Sequence, residues 1–116
     1  MAEFKLLLSG EEEQAQLKSV LPQGKILQAL ADFFSIFSDK TRIKIMSALA
    51  LSEMCVNDLS ILLELNQTTL SHQLQLLRHQ NLVECRKDGK IAYYTVSNYV
   101  INDLMISGAE YILNKC

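Results

Sequence analysis

Residues 67–79 carry the side chains best suited to chemistry. The spacing of the apolar residues in this segment predicts a helix with one apolar and one polar side. Three leucines form the apolar side: Leu70, Leu74 and Leu77. The opposite side and its flanks carry hydroxyl, imidazole, amide and guanidinium groups: Gln67, Thr68, Thr69, Ser71, His72, Gln75, Arg78 and His79. No carboxylate, which would repel phosphate, occurs between Gln67 and Gln80. Because these groups can donate and accept hydrogen bonds at base edges, the pattern favours a DNA-reading helix over an ordinary polar surface helix.

A second group of candidates is basic and follows this helix. Arg86, Lys87 and Lys90 surround Asp88-Gly89, which separates two β-rich runs at residues 82–86 and 91–96. An Asp-Gly pair between such runs is a strong signal for a β-hairpin. A basic hairpin beside a recognition helix is typical of the wing of a winged helix, which is placed to contact the DNA backbone or minor groove. The alternative is a charged turn that serves only solubility.

Three cysteines are candidates for reactive thiols: Cys55, Cys85 and Cys116. Their odd number and wide spacing do not suggest a disulfide framework, so we expect reduced thiols. Cys55 precedes a predicted helix, whose positive dipole end favours a thiolate. Cys85 stands next to Arg86, which could act in the same way, and Cys116 is the last residue. The alternative is that Cys55 and Cys85 are small buried apolar side chains with no sensing role.

The elements that position these groups are mostly helical. Apolar periodicity predicts helices over residues 11–20, from Ile26 onward, over 41–51, over 56–64 and after Ser97 or Asn98. The helix that begins near Ile26 carries three phenylalanines, more than a small core needs, which suggests a subunit interface. The link Leu65-Asn66-Gln67 is short enough for a helix-turn-helix. We therefore predict a mainly α winged helix with about five helices and a two-stranded wing.

The composition is that of an ordinary globular chain and fits one domain. Of 116 residues, 49% are hydrophobic and 21% are charged, with a net charge of −2. We expect residues 1–20 to be an arm or short helix and residues 21–116 to form the domain. Residues 67–96 are the one positive block, with four basic and two acidic side chains. Because the local field governs phosphate contact, this block keeps DNA binding open despite the net charge.

Several classes of protein are disfavoured. No apolar run approaches 18 residues, so no membrane span is expected. The N-terminus does not resemble a signal or transit peptide, so a cytoplasmic location is expected. Ser71 and His72 are adjacent on a helix and diverge by about 100°, so they cannot form a nucleophile–base pair. No phosphate loop or nucleophile elbow is present, and no enzymatic activity is expected.

Three long stretches carry a resemblance to a known family: LADFFSIFSDKTRIKIMSAL, SEMCVNDLSILLELNQTTLSHQLQLLR and NLVECRKDGKIAYYTV. Over roughly residues 20–116 the chain resembles the ArsR/SmtB family of bacterial winged-helix repressors. The resemblance implies a homodimer formed by the first and last helices and operator binding near the protein's own gene or near an efflux or detoxification gene. It also implies release of the DNA when an effector binds. A two-fold dimer would read a pseudo-palindrome, with its helices about one DNA turn apart.

The sequence departs from the family's metal sites. One family site uses a Cys-Val-Cys-Asp type motif, whereas this chain has Cys55-Val56-Asn57-Asp58, with an amide in place of the second thiol. A second family site uses Asp, His and Glu on the last helix. The matching positions hold poor zinc ligands: Asn98, Val100, Tyr111 and Asn114. The sequence therefore predicts that the protein requires no cofactor, and it disfavours a regulatory metal site.

We therefore predict a repressor that an effector releases through cysteine chemistry, with an oxidant, reactive sulfur or a metalloid as the effector. Cys55 is the preferred switch residue. One alternative is a metal-responsive repressor that uses Cys55 and Asp58 with further ligands from elsewhere in the dimer. Another is a winged-helix module that binds proteins and not DNA.

Overall fold

Six helices and three strands make up most of residues 10–115, the part of the chain that the computed structural model describes. The helices are α1 Glu11–Val20, α2 Gly24–Ile36, α3 Lys40–Leu51, α4 Val56–Leu63, α5 Gln67–His79 and α6 Tyr99–Lys115. The strands are β1 Met54–Cys55, β2 Val83–Asp88 and β3 Ile91–Val96. The predicted order of helices, hairpin and final helix is confirmed.

The described residues divide into two compact units, one ending at Ser35 and one beginning at Ile36. The first contains α1 and nearly all of α2. Three glutamates occupy the first turn of α1 and Lys18 its last turn, both favourable to the helix dipole. In α2 the rings of Phe33 and Phe34 meet edge to face with centroids 5.3 Å apart. The predicted boundary between arm and domain after residue 20 stays a prediction.

The second unit has a core to which every one of its helices contributes. Ile45, Met46 and Leu49 of α3 are buried together with Leu59 of α4 and Ile101 of α6, and α5 adds the three leucines predicted for its apolar side. Burying one such side chain stabilises the fold by about 1.5–3 kcal/mol. The rotation of α5 about its axis is therefore fixed by its own leucines.

The helix-turn-helix link is closed by local hydrogen bonds. Glu64 ends α4 in a left-handed conformation, with φ at 55°. The Ser60 hydroxyl donates to the Leu65 carbonyl at 2.6 Å. The Asn66 side chain then caps α5, because its Oδ1 accepts from the backbone N–H groups of Thr68 and Thr69 at 2.7 and 3.3 Å. α5 consequently begins at a defined residue and in a defined direction.

The sheet has three antiparallel strands in the order β1-β3-β2, one more than the predicted hairpin. β1 pairs Met54 with Tyr94 and Cys55 with Tyr93. A strand of two residues is too short to show an alternation of apolar and polar side chains, which explains why β1 could not be predicted from the sequence. The hairpin extends to the pair Asp88 and Ile91, so the turn is only Gly89-Lys90, with Gly89 at a φ of 64°.

None of the helices within residues 10–115 combines the length and apolar character needed to cross a membrane.

Candidate nucleic-acid interface

The polar side of α5 faces away from the core. Leu70, Leu74 and Leu77 are at most 1% exposed. The predicted reading side chains are all exposed: Gln67, Thr68, Thr69, Ser71, His72, Gln75 and Arg78. An open surface depression beside the C-terminal half of α5 is lined by His72, Gln75 and His79, among others. The helix therefore presents a continuous surface of hydrogen-bonding groups without a carboxylate.

Two side-chain contacts, neither visible in the sequence, hold α5 against its neighbours. The Gln67 amide donates to Asn57 Oδ1 of α4 at 3.0 Å, so this predicted DNA contact is also a link within the helix-turn-helix. Arg42 of α3 donates through Nε to Gln73 Oε1 at 3.2 Å. The partners are 10 and 31 residues apart in sequence. No local pattern marks such pairs, which is why sequence reasoning missed Arg42 and Gln73.

The basic residues of the hairpin fall into two settings. Lys87 and Lys90 are exposed, and neither is in an ion pair within the described part of the chain. Arg86 is instead held by Glu53, to which Nε and Nη2 donate at 2.8 and 2.7 Å. Its guanidinium also lies over the Tyr93 ring, 4.8 Å from the centroid. The hydrogen bond from Arg86 is the main cause that lowers the pKa of the Glu53 carboxyl, and the same pairing raises the pKa of Arg86.

The cysteines of the sheet lie on different strands. Cys55 is the last residue of β1 and the N-cap of α4, without a side-chain cap hydrogen bond. Cys85 of β2 lies opposite Tyr94, whose pKa is raised mainly by burial and also by the Cys85 thiol. Successive strand residues point to opposite faces, so Arg86 points away from Cys85. Arg86 is instead paired with Glu53, so its suggested influence on the Cys85 thiol stays a prediction. Cys116 lies outside the described residues.

An open cleft of about 510 Å³ adjoins Cys55. Its lining includes Asp58 of α4 and Lys90 and Tyr93 of the hairpin. The cleft joins the start of α4 to the wing, so a group attached to the Cys55 thiol would have space there.

Comparisons with known proteins decide the family. Residues 39–84 match the model described as "Bacterial regulatory protein, arsR family". The chain is 41% identical over 91 residues to the "Transcriptional repressor SmtB homolog" of Synechocystis sp., which covers 75% of this chain and 69% of that protein. The chain belongs to the ArsR/SmtB family. It is accordingly a winged-helix, DNA-binding transcriptional repressor, a class that is not enzymatic.

A further relative of this ArsR/SmtB chain and a solved structure with a similar fold are informative. "Cadmium resistance transcriptional regulatory protein CadC" of Listeria innocua is 37% identical over 84 residues, which is 72% of this chain and 71% of that protein. The homodimeric winged helix-turn-helix DNA-binding domain Mb0332 of Mycobacterium bovis has a TM-score of 0.67 at 23% identity, and covers 94% of this chain and 92% of that one. The second likeness concerns the fold, and it agrees with the mainly α winged helix predicted from the sequence.

A metal site in this ArsR/SmtB chain would need three or four ligand side chains close together. Within residues 10–115 no three His, Cys, Asp or Glu side chains come together as metal ligands would. Cys55 and Asp58 line one cleft, but both histidines lie on α5. The described residues of a single chain thus do not fit the three or four ligands that zinc takes in proteins.

The strand order of the sheet predicts that Cys55 and Cys85 do not form a disulfide within one chain. The central strand β3 lies between them, so their Cα atoms are about 10 Å apart, beyond the limit of about 7 Å for a disulfide. Treating the Cys116→Ser variant with diamide should give monomers without the 2 Da loss of an internal disulfide, as read by intact mass spectrometry. An internal Cys55–Cys85 bond in folded monomer would contradict the observed pairing.

Proposed function

We propose that this repressor binds its operator by inserting α5 in the major groove, with the wing on the DNA backbone. The exposed, carboxylate-free side of α5 is the observation that carries the proposal. Thr68, Ser71, His72 and Gln75 would contact base edges, with Gln67, Thr69 and Arg78 at the margins. Amide and hydroxyl groups suit base recognition, because they both donate and accept hydrogen bonds. Lys87 and Lys90 would contact phosphates.

We infer that two copies of the chain act together as a homodimer. Exposed apolar side chains on α6 support this, among them Tyr99 at 77% and Leu113 at 72% exposure. In α2, Ile26 and Phe34 are also more than half exposed. Apolar surface of this extent on two helices favours burial against a second copy, and the related domain Mb0332 is homodimeric. A two-fold pair would place its α5 helices about one DNA turn apart, which suits a pseudo-palindrome.

The effector is proposed to act at the Cys55 thiol. The register pairs Cys55 with Tyr93, and Tyr93 in turn lies under Arg86 of the wing. A change at the thiol would thus disturb the strand pair from which the wing extends. With a peroxide, the thiolate attacks the O–O bond, a sulfenic acid forms and hydroxide leaves. With arsenite, an As–S bond forms and the thiol proton leaves with one hydroxide as water. Cys85, facing Tyr94, and Cys116 are secondary candidates.

A second candidate effector is a soft divalent metal held by Cys55 and Asp58. The name of the Listeria relative, a cadmium resistance regulator, favours it. Such a site would need ligands from a second copy or from outside residues 10–115, because the described residues of one chain do not complete it.

If α5 contacts bases and the wing contacts phosphates, substitutions in the two elements should affect DNA binding differently. Gln75→Ala should weaken binding to the operator by roughly tenfold and affect random DNA little, since one base contact is lost. Lys87→Ala should weaken both DNAs similarly and lower the salt slope by about 0.9 for each phosphate contact removed. Fluorescence anisotropy on a duplex from upstream of the native gene, against a shuffled duplex, measures both. Equal losses on both duplexes for both variants would contradict the assignment, and binding that does not depend on salt would favour the protein-interaction module.

The thiol proposal predicts that Cys55→Ser remains on the operator under effectors that release the parent chain. The serine hydroxyl is not a soft nucleophile at neutral pH, so neither a peroxide, a polysulfide nor arsenite should change its gel shift. Cys85→Ser is the matched control and should still be released. If Cys55→Ser is released by each reagent as the parent is, the switch is not at Cys55.

A further inference from the structure

The residues around Arg86 form a three-part contact across the whole sheet, here called the wing clamp and defined as Glu53, Tyr93 and Arg86. Glu53 immediately precedes β1 at one edge, Tyr93 lies on the central strand β3, and Arg86 lies on β2 at the other edge. The guanidinium therefore passes over the Tyr93 ring to reach the carboxylate on the far side. One side chain thus links both strands of the hairpin to the segment before β1, which lies 33 positions earlier in the sequence.

The wing clamp lies where the hairpin leaves the three-stranded part of the sheet. β1 covers only the β3 residues Tyr93 and Tyr94. Beyond the pair Arg86–Tyr93, the hairpin continues with two strands alone through Lys87–Ala92 to Asp88–Ile91. A two-stranded ribbon by itself is marginally stable in water. The direction of the wing tip therefore depends on how rigidly the pair Arg86–Tyr93, the last position with three paired strands, is fixed.

The geometry of the wing clamp suits orientation better than stability. The guanidinium donates two hydrogen bonds to both carboxylate oxygens, which fixes its plane as well as its position. Its distance to the Tyr93 ring is in the range of a cation–π contact. The Arg86 and Glu53 side chains are 56% and 33% exposed, and exposed ion pairs contribute little to folding free energy.

We propose that Glu53 and Arg86 are positioning residues of the wing: the wing clamp aims Lys87 and Lys90 at the DNA backbone, and Arg86 acts through Glu53 and Tyr93 and not through a phosphate. This rests on the proposed function for its effect on DNA, but the order that it imposes on the wing does not require DNA. It assigns a role to Glu53, an acidic residue that a DNA-binding surface would otherwise exclude.

The test compares Glu53→Gln, Arg86→Gln and the double variant with Lys87→Ala as the phosphate-contact control. Each of the first three should bind the upstream duplex roughly three- to tenfold more weakly, with the salt slope unchanged, and the double variant should be no worse than either single one. Lys87→Ala alone should lower the slope. The unfolding temperatures of the Glu53 and Arg86 variants should stay nearly constant, which distinguishes a misoriented wing from an unfolded domain.

A measurement without DNA keeps the proposal testable if the duplex is not bound. Amide hydrogen exchange at residues 87–92 should be faster in Glu53→Gln and Arg86→Gln than in the parent, and unchanged in Lys87→Ala. Unchanged exchange in the first two would overturn the proposal. So would Arg86→Gln lowering the salt slope while Glu53→Gln binds as tightly as the parent, because Arg86 would then be a phosphate contact. If the parent itself fails to bind any duplex, the proposed function fails and the exchange result still decides the clamp.

Discussion

Burial of three leucines on one side of α5 is the constraint from which the rest of the interface follows. Leu70, Leu74 and Leu77 are buried in the core where α5 packs against α4 and β2, and each would lose about 1.5–3 kcal/mol of stabilisation if the helix turned outward. A helix anchored in this way has only one rotation available. The side opposite the leucines must then face solvent or a ligand. Its polar groups are consequently presented by the fold itself, and no loop is needed to hold them.

The remaining contacts limit how α5 and the wing can move relative to each other. The Asn66 cap fixes where α5 starts, and Arg42 ties it to α3 through Gln73. On the wing side, Arg86 is tied to Glu53 on the segment that leads into α4. Since α4 precedes α5 by one tight turn, α5 and the wing are both connected to the segment around Glu53 and α4. The segment that leads into α4 also contains Cys55, so the proposed thiol switch lies between the two elements proposed to contact DNA.

Elements with a repeating local pattern can be predicted from this sequence, whereas contacts between residues that are distant in the chain cannot. The bounds of α5, its leucine side and its Asn66 cap are confirmed, because helical periodicity and capping are local properties. The hairpin was found from Asp88-Gly89 for the same reason. β1 is only two residues long, and Glu53 meets Arg86 across 33 positions, so neither leaves a local signal. Arg86 was therefore grouped with Lys87 and Lys90 by charge alone, although its surroundings differ from theirs.

The central claim is that the outward side of α5 meets a DNA groove, and the two histidines of the chain offer a direct probe. His72 and His79 are both exposed on α5. Carbethoxylation by diethyl pyrocarbonate, followed by peptide mass spectrometry, reports the accessibility of each imidazole. With a saturating duplex from upstream of the native gene, His72 should become strongly protected, whereas a non-binding single strand should leave its reactivity unchanged. Equal reactivity of His72 with and without bound duplex would contradict the account.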